Sequence, residues 1–91
     1  MVYVIISYDI SDDKTRSKVA NLLEDHGKRI QYSVFECRLD SKRLDDLITK
    51  LKPFAEECDS IRVYQICEAC LKKAVVLGDD EITEDPKFYV V

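Results

Sequence analysis

The chain has one histidine, two glycines, two prolines and no apolar run long enough to span a bilayer. Each scarcity excludes something. With His26 alone, neither a histidine relay nor a Ser-His-Asp arrangement can be assembled, which argues against covalent catalysis. Few glycines and prolines, with 46% apolar and 35% charged residues, mark a folded chain rather than a disordered one. The stretch Met1 to Asp9 is apolar but short and lacks a basic leader or a small-residue cleavage pattern. It therefore reads as a strand, not a signal or membrane span, and the protein is expected in the cytoplasm. At 91 residues, one α/β core is expected and no second domain or internal repeat.

Four cysteines, Cys37, Cys58, Cys67 and Cys70, in a reducing compartment argue against a disulfide framework, and at least two of them are expected to be plain core residues. The net charge of −4 does not by itself suggest nucleic acid. Its distribution leaves that role open: residues 1–43 hold eight Lys/Arg against seven Asp/Glu, and residues 44–91 hold six against eleven.

Val2 to Tyr8 is rich in β-branched and aromatic residues without clean alternation, which predicts a central strand buried on both faces. Ser11, Asp12 and Asp13 offer capping side chains, and Thr15, Val19, Leu22, Leu23 and His26 fall at helical spacing until Gly27 supplies a stop. Lys28 to Leu39 reads as β, either one strand or a tight pair. A second helix begins at Asp40-Ser41 with the apolar face Leu44, Leu47, Ile48 and Leu51, and Pro53 marks its end or a kink. After a turn at Cys58-Asp59-Ser60, Ile61 to Cys67 alternates as a strand, Glu68 to Ala74 makes a helical turn, and Val75-Val76-Leu77 is a short last strand. Beyond Gly78, the acidic Asp79 to Asp85 stretch reads as a solvated linker to the apolar tip Phe88-Tyr89-Val90-Val91. This order fits an α+β, ferredoxin-like sheet with both helices on one face, a domain over 1–78 and a tail over 79–91. A second copy packed on the bare sheet face would cover it, and Val75 to Leu77 is a candidate to pair with that partner's edge.

Two segments carry a more specific signal: Tyr8-Asp9-Ile10-Ser11-Asp12-Asp13, continuing to Arg16, and Arg29-Ile30-Gln31-Tyr32-Ser33-Val34-Phe35-Glu36. Together they resemble the CRISPR-associated Cas-two family, a likeness extending over residues 2–78. The resemblance implies a β-α-β-β-α-β fold that splits residues 28–39 into two strands, a homodimer, and a fifth strand crossing to the partner. It also implies a role beside the Cas-one integrase in spacer acquisition, bridging integrase dimers and supporting DNA, with metal-dependent endonuclease activity on RNA or DNA assigned to some members. Tyr8, Asp9, Arg16, Arg29 and Phe35 match positions such members use, whereas Lys18 stands where others carry Arg.

Asp9 is the best single candidate, because a carboxylate at the end of an apolar strand is held rigidly yet reaches solvent. It reads either as a ligand for Mg²⁺ or Mn²⁺ in phosphodiester cleavage, completed by the partner's Asp9, or as a cap for the following helix. Arg16, Lys18 and Arg29 are candidates to hold phosphate oxygens, with solvated surface as the alternative. Phe35 reads as packing, Ser33 as a turn residue, and His26 as a partner for the first helix's C-terminus. Cys67-Glu68-Ala69-Cys70 is half a zinc site by spacing, or a thiol pair, and one such motif does not decide.

Overall fold

The structure, a computed structural model, describes residues 1–56 and 60–78. Its elements run β1 (Val2–Asp9), α1 (Asp13–Glu24), β2 (Gly27–Gln31), β3 (Val34–Leu39), α2 (Ser41–Ala55), β4 (Ser60–Ile66) and α3 (Glu68–Leu71). The turn residues Cys58 and Asp59, the acidic linker and the apolar tip lie outside the described residues.

The strands form one sheet in the order β2-β3-β1-β4, with every neighbouring pair antiparallel. Each crossover thus has another strand inserted into it: β3 separates β1 from β2, and β1 separates β3 from β4. That is the split βαβ of a ferredoxin-like fold, and β1 is interior as its composition predicts.

Register sorts the side chains. Val4, Ile6 and Tyr8 of β1 stand beside Cys37 and Phe35 of β3 and beside Val63 and Ile61 of β4. These residues pack with Val19, Ala20 and Leu23 of α1 and Leu44, Leu47 and Leu51 of α2 in one core. Both helices therefore cover one face, and each such buried leucine contributes about 1.5–3 kcal/mol.

The other face carries Tyr3, Ile5, Ser7 and Asp9, with Glu36 and Arg38 of β3 and Arg62 and Tyr64 of β4 as neighbours. It is partly clothed by its own polar network. The Tyr3 hydroxyl donates to Glu36, Arg38 lies over the Tyr3 ring at 5.6 Å and pairs with Glu68 at 3.5 Å. Leu71 of α3 and Tyr3 are both buried yet stand outside the main core, which places α3 at the β1 start of this face.

Several local expectations are sharpened. Residues 28–39 are two strands joined at Tyr32-Ser33, with an irregularity between Arg29 and Gln31. α2 continues past Pro53 to Ala55. His26 Nδ1 lies 2.9 Å from the Leu22 carbonyl at the end of α1, as a helix-terminal partner should. Val75 to Leu77 forms no strand within the single chain, where it has no partner strand, and Val75 and Leu77 are 77% and 92% exposed. Of the described cysteines only Cys37 is a core residue; Cys67 and Cys70 are exposed, so the expected pair of core cysteines is not found among them.

Candidate nucleic-acid interface

The end of β1 turns one residue inward and the next outward. Tyr8 is buried against Phe35, ring centroids 6.2 Å apart at 28°, and its amide donates to the Ser33 carbonyl at 3.1 Å. Asp9, one residue on, is exposed. The capping role falls elsewhere: Asp12 accepts from the Thr15 amide and hydroxyl, both at 2.8 Å, and these bonds hold its carboxyl below the ordinary range. Asp13 is taken by an ion pair with Arg16. Asp9 is therefore the acidic side chain of this loop that neither the helix cap nor the arginine uses.

Arg16 reaches back across the β1–α1 loop. One guanidinium nitrogen donates to the Ile10 carbonyl at 3.0 Å and another to the Asp13 carboxylate, which keeps the group firmly protonated. Arg29 of β2 lies 5.3 Å over the Phe35 ring and reaches Glu24 at 3.4 Å. The two guanidinium groups flank the Tyr8 side chain: burial raises its pKa, and Arg29 and Arg16 pull less strongly the other way, so it stays a neutral phenol that can donate.

Two adjoining hollows of about 160 Å³ each result. Asp9, Ile10 and Ser33 line one, Ser17, Ala20 and Arg29 line the other, and Tyr8, Arg16 and Tyr32 are common to both. Fixed cations and a phenol beside an exposed carboxylate suit a phosphate group with its charge held and one edge open.

Tyr8, Asp9, Arg16, Arg29, Ser33 and Phe35 are thus gathered at one corner, with Phe35 fully buried as packing and Ser33 contributing a carbonyl in the turn. Lys18 is exposed and does not line either hollow. Cys67 and Cys70 are at the far end of the sheet, where Ile66 pairs with Tyr3. Ile10, Ser17, Ala20 and Tyr32 line the hollows without having been singled out in the sequence; Tyr32, common to both, is a large aromatic, 75% exposed, inside a strand-forming segment.

A magnesium ion prefers hard oxygens and tolerates several waters. At this corner Asp9 is the carboxylate left over by the helix cap and the Arg16 pair, and no group of three or more His, Cys, Asp or Glu side chains could hold a metal among the described residues. Asp9 offers one hard-oxygen ligand, which by itself does not complete a site.

The geometry defines a class: a small ferredoxin-like domain that gathers two arginines, two tyrosines and an exposed carboxylate at the end of its first strand. The family model for CRISPR associated protein Cas2, the family that sequence resemblance indicated, matches residues 1–74. The chain belongs to the Cas2 family. It is 39% identical to a CRISPR-associated endoribonuclease Cas2 of Synechocystis sp., covering 100% of both chains. It is 38% identical to another of Chloroflexus aurantiacus, over 99% of this chain and 98% of that one. Among solved structures, a partial Cas6-RT-Cas1–Cas2 complex holds a chain with TM-score 0.73 and 32% identity, covering 85% of this chain and 91% of that one. Cas2 of Streptococcus pyogenes follows with TM-score 0.70 and 32% identity, over 84% of this chain and 99% of that one.

Proposed function

We propose that this protein is the homodimeric nucleic-acid-binding subunit of CRISPR spacer acquisition, bridging dimers of the Cas1 integrase, and that it cleaves phosphodiester bonds with Mg²⁺ or Mn²⁺ at paired Asp9 carboxylates. The observation that carries this reading is Arg16, whose guanidinium is fixed by Ile10 and Asp13 beside an Asp9 that neither uses. Relatives named as endoribonucleases and a neighbour solved with Cas1 support the same direction.

The dimer reading rests on the outer edge of β4, on the exposed Tyr64 of the uncovered face, and on Val75 to Leu77, which could add a strand to a partner's edge. Bound between two Asp9 side chains, the metal would neutralise phosphate charge and activate a water. Arg16 and Arg29 hold the phosphate, and the neutral Tyr8 phenol orients it. Residues 79–91 are proposed to reach the integrase.

The test pairs a metal-dependent nuclease assay on RNA and DNA with an integrase pull-down, for the native sequence and Asp9→Asn. Cleavage is expected to vanish in Asp9→Asn while dimer and pull-down persist. Cleavage that survives that substitution removes Asp9 from catalysis. Integrase capture and DNA binding without any cleavage by either protein would leave a DNA scaffold.

A further inference from the structure

We propose that Cys67 and Cys70 form a redox-active dithiol that closes reversibly to a disulfide, at a site separate from the Asp9 corner. Asp9 ends β1 opposite Ser60, whereas Cys67 follows Ile66, which pairs with Tyr3 at the other end of the same strand. Both thiols are free and exposed, in contrast to the buried Cys37.

Their geometry is prepared for closure. Cys67 is the extended N-cap of α3, and its sulfur accepts the Cys70 amide at 3.4 Å. Residues three apart on a helix have Cβ atoms about 5–6 Å apart, and a disulfide needs about 3.5–4.5 Å. Because Cys67 stands outside the helix proper, rotation of its backbone and side chain covers that gap without unwinding α3. The two sulfurs also differ in character. The Cys70 amide and thiol both donate to Cys67 and hold it below the ordinary thiol range, while the neighbouring Cys67 pushes Cys70 up. Cys67 is thus the attacking thiolate and Cys70 the resolving thiol.

The oxidant is a small-molecule disulfide such as oxidised glutathione. Cys67 thiolate attacks one of its sulfurs, the S–S bond breaks, and one glutathione thiolate leaves a mixed disulfide behind. Cys70 gives its proton to solvent and attacks Cys67 Sγ, releasing the second glutathione as thiolate. Two electrons pass to the oxidant and the protein loses two hydrogens. Reduced glutathione runs the same steps backwards. The closed form fixes the turn that carries Leu71 into its buried place and Glu68 towards Arg38.

The full chain, equilibrated in glutathione buffers from reducing to oxidising, quenched in acid, alkylated and weighed intact, tests this. The expected product carries two fewer alkyl groups than the fully reduced protein, is lighter than it by about 2 Da only when both are weighed before alkylation, maps as unalkylated at Cys67 and Cys70, and reverts with dithiothreitol. Cys70→Ser should trap on Cys67 a glutathione adduct that dithiothreitol removes. Thiols that stay open to alkylation in oxidised glutathione, or a bridge that maps to Cys58 or to a second copy, would overturn the assignment.

Discussion

Asp12 and Thr15 are joined twice, the Thr15 amide and hydroxyl each donating to the Asp12 carboxylate at 2.8 Å. That pair of hydrogen bonds closes the first turn of α1 and settles which carboxylate of Asp9-Ile10-Ser11-Asp12-Asp13 serves the fold. Asp9 lies outside the helix, exposed at the strand end.

A division of labour between the two acids follows. Asp12→Ala should lower the melting temperature by a few degrees, whereas Asp9→Asn should leave it unchanged and abolish cleavage. The Thr15 bonds depress the Asp12 carboxyl from its ordinary 3.8, so its stabilisation is fully present above that pH and is lost as pH falls through the lower folded value. Melting curves taken into acid should show a shallower decline for Asp12→Ala. An Asp9→Asn protein that melts as early as Asp12→Ala would contradict the division.

Arg16 is expected to bind phosphate through its fork rather than its charge alone. Two of its nitrogens are already engaged, by the Ile10 carbonyl and the Asp13 carboxylate, and this fixes the plane of the remaining donors. Arg16→Ala should weaken binding to duplex DNA by roughly tenfold and reduce the slope of log K against log salt by about one per chain. Arg16→Lys should restore the slope and only part of the affinity, because a lysine supplies a point charge without the fork. Fluorescence anisotropy across a salt series separates these outcomes; full rescue by lysine would reduce Arg16 to a simple counter-charge.

Much of this was legible in residue types. The β-branched run of β1 is a composition signal and the spacing in α2 a period signal; the α2 leucines join the core as predicted, whereas β1 buries its Val4, Ile6 and Tyr8 face and leaves Ile5 and Ser7 of the other only half-buried. The hairpin between β2 and β3 was harder, because its turn is Tyr32-Ser33, without the Asn-Gly or Gly-rich chemistry that announces a reversal. Its splitting came from family likeness alone. The Tyr3, Glu36 and Arg38 network was invisible for a related reason: a charged residue in a strand pattern reads as solvent-facing until its partner across the sheet is known. The candidate corner was readable where the loop is short, at Asp9 and Arg16, which the structure brings together. Tyr32 joins them from another strand connection, a juxtaposition that only the fold supplies.

Gly27 supplies the stop of α1 by its residue type, but its larger constraint is close approach. A Cβ there would sit 2.2 Å from the Glu36 carbonyl oxygen and 2.5 Å from Cys37 Sγ, inside backbone and core that have little room to yield. Gly27→Ala should therefore destabilise by about 1–3 kcal/mol through overpacking, despite the gain that alanine usually brings over glycine. Urea denaturation measures it, with the midpoint lowered and the slope unchanged. A Gly27→Ala protein as stable as the native sequence would show that β2 shifts freely off β3.

The sulfur beneath Gly27 sets an alkaline limit on stability. Burial first, and then the Glu36 carboxylate beside it, push the Cys37 thiol up from 9.0 to about 11. Between those values the unfolded chain loses this proton and the folded chain keeps it. The unfolded state then binds fewer protons, so stability falls as pH rises through the window, by about 3 kcal/mol in all. Tyr8, whose phenol is also raised by burial, adds a loss of the same sign from pH 10 upwards. Denaturation at pH 8 and again near the upper end of this window should show Cys37→Ala losing less stability than the native sequence, and Tyr8→Phe flattening only the most alkaline part. Parallel losses in the native and Cys37→Ala proteins would mean that the thiolate finds solvent in the folded state and that β2 does not seal the core at Gly27.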